Sequence, residues 1–133
     1  MAQAKVAPIR SDLDIVIART LARDTAKTLG FGAIDQARIA TAVSELARNV
    51  FLYAGTGTVT VREIERAGRK GIEIICEDQG PGIADVELVM QDGYSTSRGM
   101  GMGLPGAKRL MDEFDIKSVE GQGTLIQCRK WRT

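Results

Sequence analysis

The chain has 133 residues, the size of one ordinary domain and too short for a two-lobed kinase of the eukaryotic type. Eighteen basic and seventeen acidic residues leave a formal charge of +1, without the basic excess that nucleic acid or an anionic membrane rewards. Apolar residues make up 44% and charged ones 26%, as in a soluble globular protein, and no apolar run is long enough to span a bilayer.

A short first strand is predicted over Lys5–Arg10, with Pro8 suiting an edge position. Asp12 or Ser11 caps a helix over roughly 13–29, with Leu13, Ile17, Leu21 and Ala22 as its expected core stripe. Gly30 and Gly32 stop it. A second helix runs from near Asp35 to about Ala54, where Gly55 and Gly57 end it, its core stripe being Ile39, Val43, Leu46 and Val50. Thr58–Ile64 and Gly71–Asp78 read as strands of a hairpin turning at Ala67-Gly68-Arg69-Lys70. A glycine-rich stretch from Gly80 to Gly103 follows, with a short helical piece near Asp85–Met90. A helix over about Leu104–Met111 and a last hairpin, Phe114–Val119 with Thr124–Trp131, complete the chain. Strands joined by short turns pair antiparallel, so the expected fold is an α+β two-layer sandwich: a largely antiparallel mixed sheet with helices on one face.

Glu45 and Asn49 lie four apart on the second helix, at the edge of its apolar stripe, where side chains can point into a cleft. Taken alone, the pair also fits a solvated helix flank. Asp78-Gln79-Gly80-Pro81-Gly82 directly follows a strand; in isolation it reads as a tight turn. Yet Asp78 continues the inward row Ile72, Ile74, Cys76, and a carboxylate there needs a donor, for which an adenine amino group is one candidate. Gly99-Met100-Gly101-Met102-Gly103-Leu104-Pro105 precedes a helix, so its backbone N–H groups and the helix start suit a polyphosphate, or else it is a flexible loop. Its literal match to the dinucleotide fingerprint lacks the preceding strand and the later acidic residue. A Walker A loop is excluded, since no Gly-Lys-Ser/Thr occurs. Gly121-Gln122-Gly123-Thr124 is a hairpin turn whose Thr124 could meet a base edge.

The absences sharpen this. There is no histidine, so no histidine base, phosphoacceptor or metal ligand. The two cysteines, Cys76 and Cys128, cannot form a zinc site alone, and with no signal peptide they read as reduced thiols of a cytoplasmic protein.

In order, Glu-x-x-x-Asn, Asp-x-Gly-x-Gly, Gly-x-Gly-x-Gly-Leu and Gly-Thr resemble the four boxes of the GHKL ATPase and kinase superfamily. Ser44–Asn49, Tyr53–Gly55, Glu77–Ile83, Asp92–Ser97 and Gly103–Phe114 narrow the likeness to the RsbT-like serine/threonine switch kinases of bacterial stress-response pathways. Arg98 and Met100 depart from the pattern, standing where smaller or plainer residues are expected. The resemblance implies a single Bergerat-fold domain over residues 1–133 that binds ATP with Mg²⁺. Glu45 would be the catalytic base or orienting group and Asn49 the metal ligand. Asp78, Gly80, Gly82, Ile83 and Thr124 would surround adenine, while Gly99, Gly101, Gly103 and Leu104 would wrap the phosphates. It further implies phosphorylation of a STAS-domain antagonist, with a PP2C-type phosphatase as second partner and no role for nucleic acid or membrane. A noncatalytic, anti-sigma-like nucleotide-binding regulator is the alternative.

Overall fold

In the computed structural model, which describes residues 4–82 and 103–133, five strands form one sheet in the order β1-β2-β3-β5-β4. They are β1 (Ala4–Ile9), β2 (Gly57–Arg66), β3 (Arg69–Asp78), β4 (Glu113–Val119) and β5 (Gly123–Trp131). Every pairing among the described residues is antiparallel, so the sheet carries no parallel component there. Three helices, α1 (Asp12–Thr28), α2 (Ala33–Ala54) and α3 (Gly103–Leu110), pack on one face. The two-layer α+β expectation therefore holds. The helical piece expected near residues 85–90 lies outside the described residues.

Local chemistry sets the element ends. Ser11 caps α1, its hydroxyl accepting from the Asp14 N–H at 3.4 Å. Gly55 ends α2 with φ +83°, a left-handed position that glycine takes at no steric cost. The β2–β3 hairpin is tighter than the four-residue turn expected: Arg66 pairs with Arg69, leaving only Ala67 and Gly68 between the strands. Both have positive φ, +52° and +80°, whose twist matches that of the flanking strands.

The α2 stripe is as expected, with Ile39, Val43, Leu46 and Val50 all buried. The α1 stripe holds only at Ala22. Leu13 and Ile17 are exposed and Leu21 only half-buried, while Ile15, Ala18 and Ala26 join Ala22 in the core. Helical periodicity admits both stripes. Close approach of α1 to α2 selects the second, because alanines let two helix backbones come near where leucines would hold them apart.

The sheet's inner face carries Val59, Val61, Ile72, Ile74, Cys76, Ile126 and Cys128 into the core. Burial pushes the Cys128 thiol up to about 12 and raises that of Cys76 well above its ordinary value, so both remain protonated, unreactive thiols. The outer face carries a ladder of charge instead. Glu73, 1% exposed, is paired with Arg62 of β2 and with Arg129 of β5 (2.8 Å). Arg129 also reaches Glu113 of β4 (3.2 Å), which pairs with Arg66 (2.8 Å) and accepts from the Trp131 indole N–H (2.7 Å). The indole hydrogen bond is the main reason the Glu113 carboxyl lies below the usual carboxylate range. On the helix side, the buried Lys130 donates from its ammonium to the Leu110 carbonyl (3.0 Å) and faces Asp112 (3.6 Å) and Asp35 (3.9 Å), tying the end of α3 to the sheet and to α2.

Candidate functional site

At the opposite end of the sheet, the register lines up three polar side chains across three strands. Asp78 pairs with Thr124, and Thr124 with Ser118. Odd and even positions of a strand face opposite ways, and the core residues Ile74, Cys76, Ile126 and Cys128 fix this row on the helix side. Ser118 donates to the Gly123 carbonyl (3.0 Å), and its oxygen lies 2.9 Å from the Thr124 hydroxyl. With the Ser118 proton so used, Thr124 donates to Ser118 and keeps its own oxygen as an acceptor. One carboxylate oxygen of Asp78, Oδ1, accepts from the Gly80 N–H at 2.9 Å. The second has no partner among the described residues. The row thus offers acceptors to an exocyclic amino group. Ser118 is a member that sequence reasoning missed; only the hairpin register brings it opposite Thr124.

Glycines hold this corner together. A Cβ on Gly57 would strike Val50 of α2 and the Glu77 carbonyl, so the start of β2 wedges between α2 and the end of β3. Gly80 lies against Ala54, and its N–H orients Asp78. Gly82, at φ +74°, sits against the Val119 carbonyl, and the neighbouring Pro81 carbonyl accepts from the Gly121 N–H (2.6 Å). Its freedom is used to dock the loop on the β4–β5 hairpin. Gly82→Ala is therefore expected to cost about 1–2 kcal/mol for the left-handed backbone alone, with the displaced carbonyl adding to it. Denaturant titration checks this; an unchanged midpoint would show that the loop yields freely.

The chemical end of the site is built where α3 begins. Gly103 starts α3 directly on the Glu45 and Asn49 face of α2: a Cβ there would lie 2.8 Å from Glu45 Oε2 and 3.3 Å from Asn49 Nδ2. A side chain at this position would displace the ends of Glu45 and Asn49 from where they now lie. Glu45 is half-buried, and its other oxygen, Oε1, pairs with Arg48 Nη1 at 3.0 Å. Asn49 Nδ2 is buried without a hydrogen-bond partner among the described residues. A buried amide left unpaired costs about 1–3 kcal/mol, which a ligand can recover. Leu104 is buried in the core, so what it can offer a phosphate is its backbone. Gly99, Gly101 and Ile83 lie outside the described residues, as do Arg98 and Met100.

No group of three or more acidic, histidine or cysteine side chains able to hold a metal occurs among the described residues. The half-buried Asn49 beside a carboxylate nevertheless fits a magnesium–nucleotide complex: its amide oxygen is a ligand of the kind Mg²⁺ takes, and its unpaired Nδ2 is a donor suited to a phosphate oxygen.

The family of histidine kinase-, DNA gyrase B- and HSP90-like ATPases matches residues 34–132, from the second residue of α2 through the end of β5. The chain belongs to that family. It is 60% identical to the serine/threonine-protein kinase RsbT of Bacillus subtilis over 92% of each chain. It is 35% identical to an anti-sigma F factor of Caldanaerobacter subterraneus subsp. tengcongensis, over 86% of this chain and 82% of that one. Two solved structures share the fold. One is a histidine kinase domain from a blue-light activated kinase of Erythrobacter litoralis, with a TM-score of 0.55 at 19% identity. It matches 90% of this chain, which spans 59% of that longer chain. The other is the catalytic domain of histidine kinase ThkA, with a TM-score of 0.53 at 14% identity, covering 95% of this chain and 96% of that one. The fold expectation and the likeness to the switch kinases both stand. No helix among the described residues is long and apolar enough to cross a membrane.

As candidate acceptors for an adenine amino group, the Asp78 row carries a direct test. Asp78→Asn removes the charge and turns one acceptor into a donor. ATP affinity is expected to fall by about 1.5–3 kcal/mol, roughly 10–150-fold. Calorimetry that finds ATP binding as tight as wild type would take Asp78 out of the adenine pocket.

Proposed function

We propose that this ATP-dependent serine/threonine kinase transfers the γ-phosphate of ATP to a seryl or threonyl hydroxyl of a STAS-domain antagonist protein. Through that event it serves a partner-switching pathway whose second partner is a PP2C-type phosphatase, and it acts in the cytoplasm. The single observation that supports the reading is the meeting of Glu45, Asn49 and Gly103 where α3 begins. A carboxylate, an unpaired amide and a helix start then lie together at one edge of α2, with the Asp78 row at the same end of the sheet.

Phosphoryl transfer asks a protein mainly for positioning and charge neutralisation. Mg²⁺, when bound, would neutralise the charge of the phosphates. Asn49 would hold that metal through its amide oxygen. Gly103, the backbone of Leu104 and the preceding Gly99 and Gly101 donate N–H groups to the phosphates. Asp78 and Thr124 accept from the adenine edge, while Gly80, Gly82 and Ile83 shape the floor of its pocket. Glu45 orients the acceptor hydroxyl and takes its proton. With no histidine in the chain, a carboxylate is the base that this site can offer.

The likeness to anti-sigma F factors favours a second reading, a regulator that binds nucleotide and sequesters a protein without modifying it. Incubation with Mg-ATP and a STAS-domain protein, followed by weighing the latter, separates the two. A gain of one phosphate supports the kinase reading. Stable complex formation without that gain supports the regulator.

A further inference from the structure

The proposed base has one of its two oxygens engaged. Glu45 Oε1 is held by Arg48 Nη1 at 3.0 Å, while Oε2 is the atom that Gly103 approaches at the start of α3. Arg48 sits three residues on from Glu45, one turn along α2, with half of its side chain exposed. Asn49, the next residue, turns its amide inward. An exposed ion pair of this kind contributes little to stability. Its effect is on direction: a glutamate has three side-chain torsions, and pinning one oxygen from the solvent side leaves the other pointing toward Gly103.

We infer that Arg48 is a positioning residue, one that clamps Glu45 so that Oε2 alone faces the acceptor hydroxyl and the γ-phosphate. The inference rests on the reading of Glu45 as the base. As the hydroxyl oxygen bonds to the γ-phosphorus, the bond from that phosphorus to the β,γ-bridging oxygen breaks and ADP leaves. The hydroxyl proton passes to Glu45 Oε2. Arg48 forms no bond to any reacting atom; it fixes the angle from which the carboxylate receives the proton. Small errors in such geometry are expensive, about 10²-fold for a displacement near 1 Å.

The test is a double-mutant cycle on phosphorylation of a STAS-domain protein, with Arg48→Met, Glu45→Ala and the two together. Arg48→Met is expected to slow turnover about 10–10²-fold with ATP affinity unchanged. Arg48→Lys, which keeps the charge without the planar fork, is expected to recover part of the loss. In the Glu45→Ala background, Arg48→Met is expected to add nothing. Equal slowing in both backgrounds would overturn the clamp, because Arg48 would then act on the acceptor directly. A wild-type rate in Arg48→Met, with Glu45→Ala slow, would overturn it while sparing the base assignment. A wild-type rate in Glu45→Ala would remove both. A second readout needs no acceptor: the carboxyl ¹³C resonance of Glu45, assigned by its loss in Glu45→Gln. It is expected to move in Arg48→Met, and an unmoved signal rejects the clamp even if no STAS-domain protein is phosphorylated.

Discussion

Glu45→Ala is expected to slow phosphorylation of the acceptor protein about 10²–10⁴-fold while ATP stays bound. A serine hydroxyl is a weak nucleophile until it is oriented and relieved of its proton. Glu45 has the geometry for both tasks. It stands on the same face of α2 as Asn49, with Oε2 toward the helix start that follows the glycine-rich segment. The groups proposed to hold the nucleotide, Asn49, Asp78 and Thr124, are untouched by the substitution. Single-turnover kinetics together with ATP titration check the split. An unchanged rate makes Glu45 a helix flank. Lost ATP binding instead assigns it to the metal or nucleotide site.

Asn49→Ala is expected to abolish kinase activity, with the fold nearly intact. The two halves of that expectation have different sources. The amide is the proposed metal ligand, and its Nδ2 is buried without a partner, so the folded protein gives up no hydrogen bond of that atom when it is removed. Deleting an unsatisfied buried polar atom relieves a cost rather than incurring one. Circular dichroism and thermal melting should therefore resemble wild type, while phosphate transfer disappears. An unfolded variant would show Asn49 to be a structural residue of the α2–α3 junction.

The part of this architecture written locally in the chain was the legible part. Ser11, Gly55 and the alternating Ile72-Ile74-Cys76 row mark a cap, a stop and a buried strand face through rules that need only near neighbours. Of the expected α1 stripe only Ala22 was legible, because Leu13-Ile17-Leu21 and Ile15-Ala18-Ala22 have the same helical period. What separates them is the distance between α1 and α2, a tertiary quantity. At the site, Glu45, Asn49, Asp78 and Thr124 could be named from motif order. Ser118 and Arg48 could not: the first depends on the register of a hairpin, and the second is one more surface arginine until its guanidinium is seen against Glu45. The close approach of Gly103 was equally hidden, since nothing in sequence says which side chains a distant glycine will face.

The charge ladder and the Lys130 cluster share one end of the molecule, and the Asp78 row occupies the other. Cross-strand anchorage thus runs from Glu73, midway along β3, to Trp131 at the pole away from the proposed nucleotide site. Local opening follows the weakest ties rather than the average. On the proposed function the nucleotide end is the one held by turns and close-packed glycines, so local opening there would leave the ion pairs of the far pole, and the register they hold, in place.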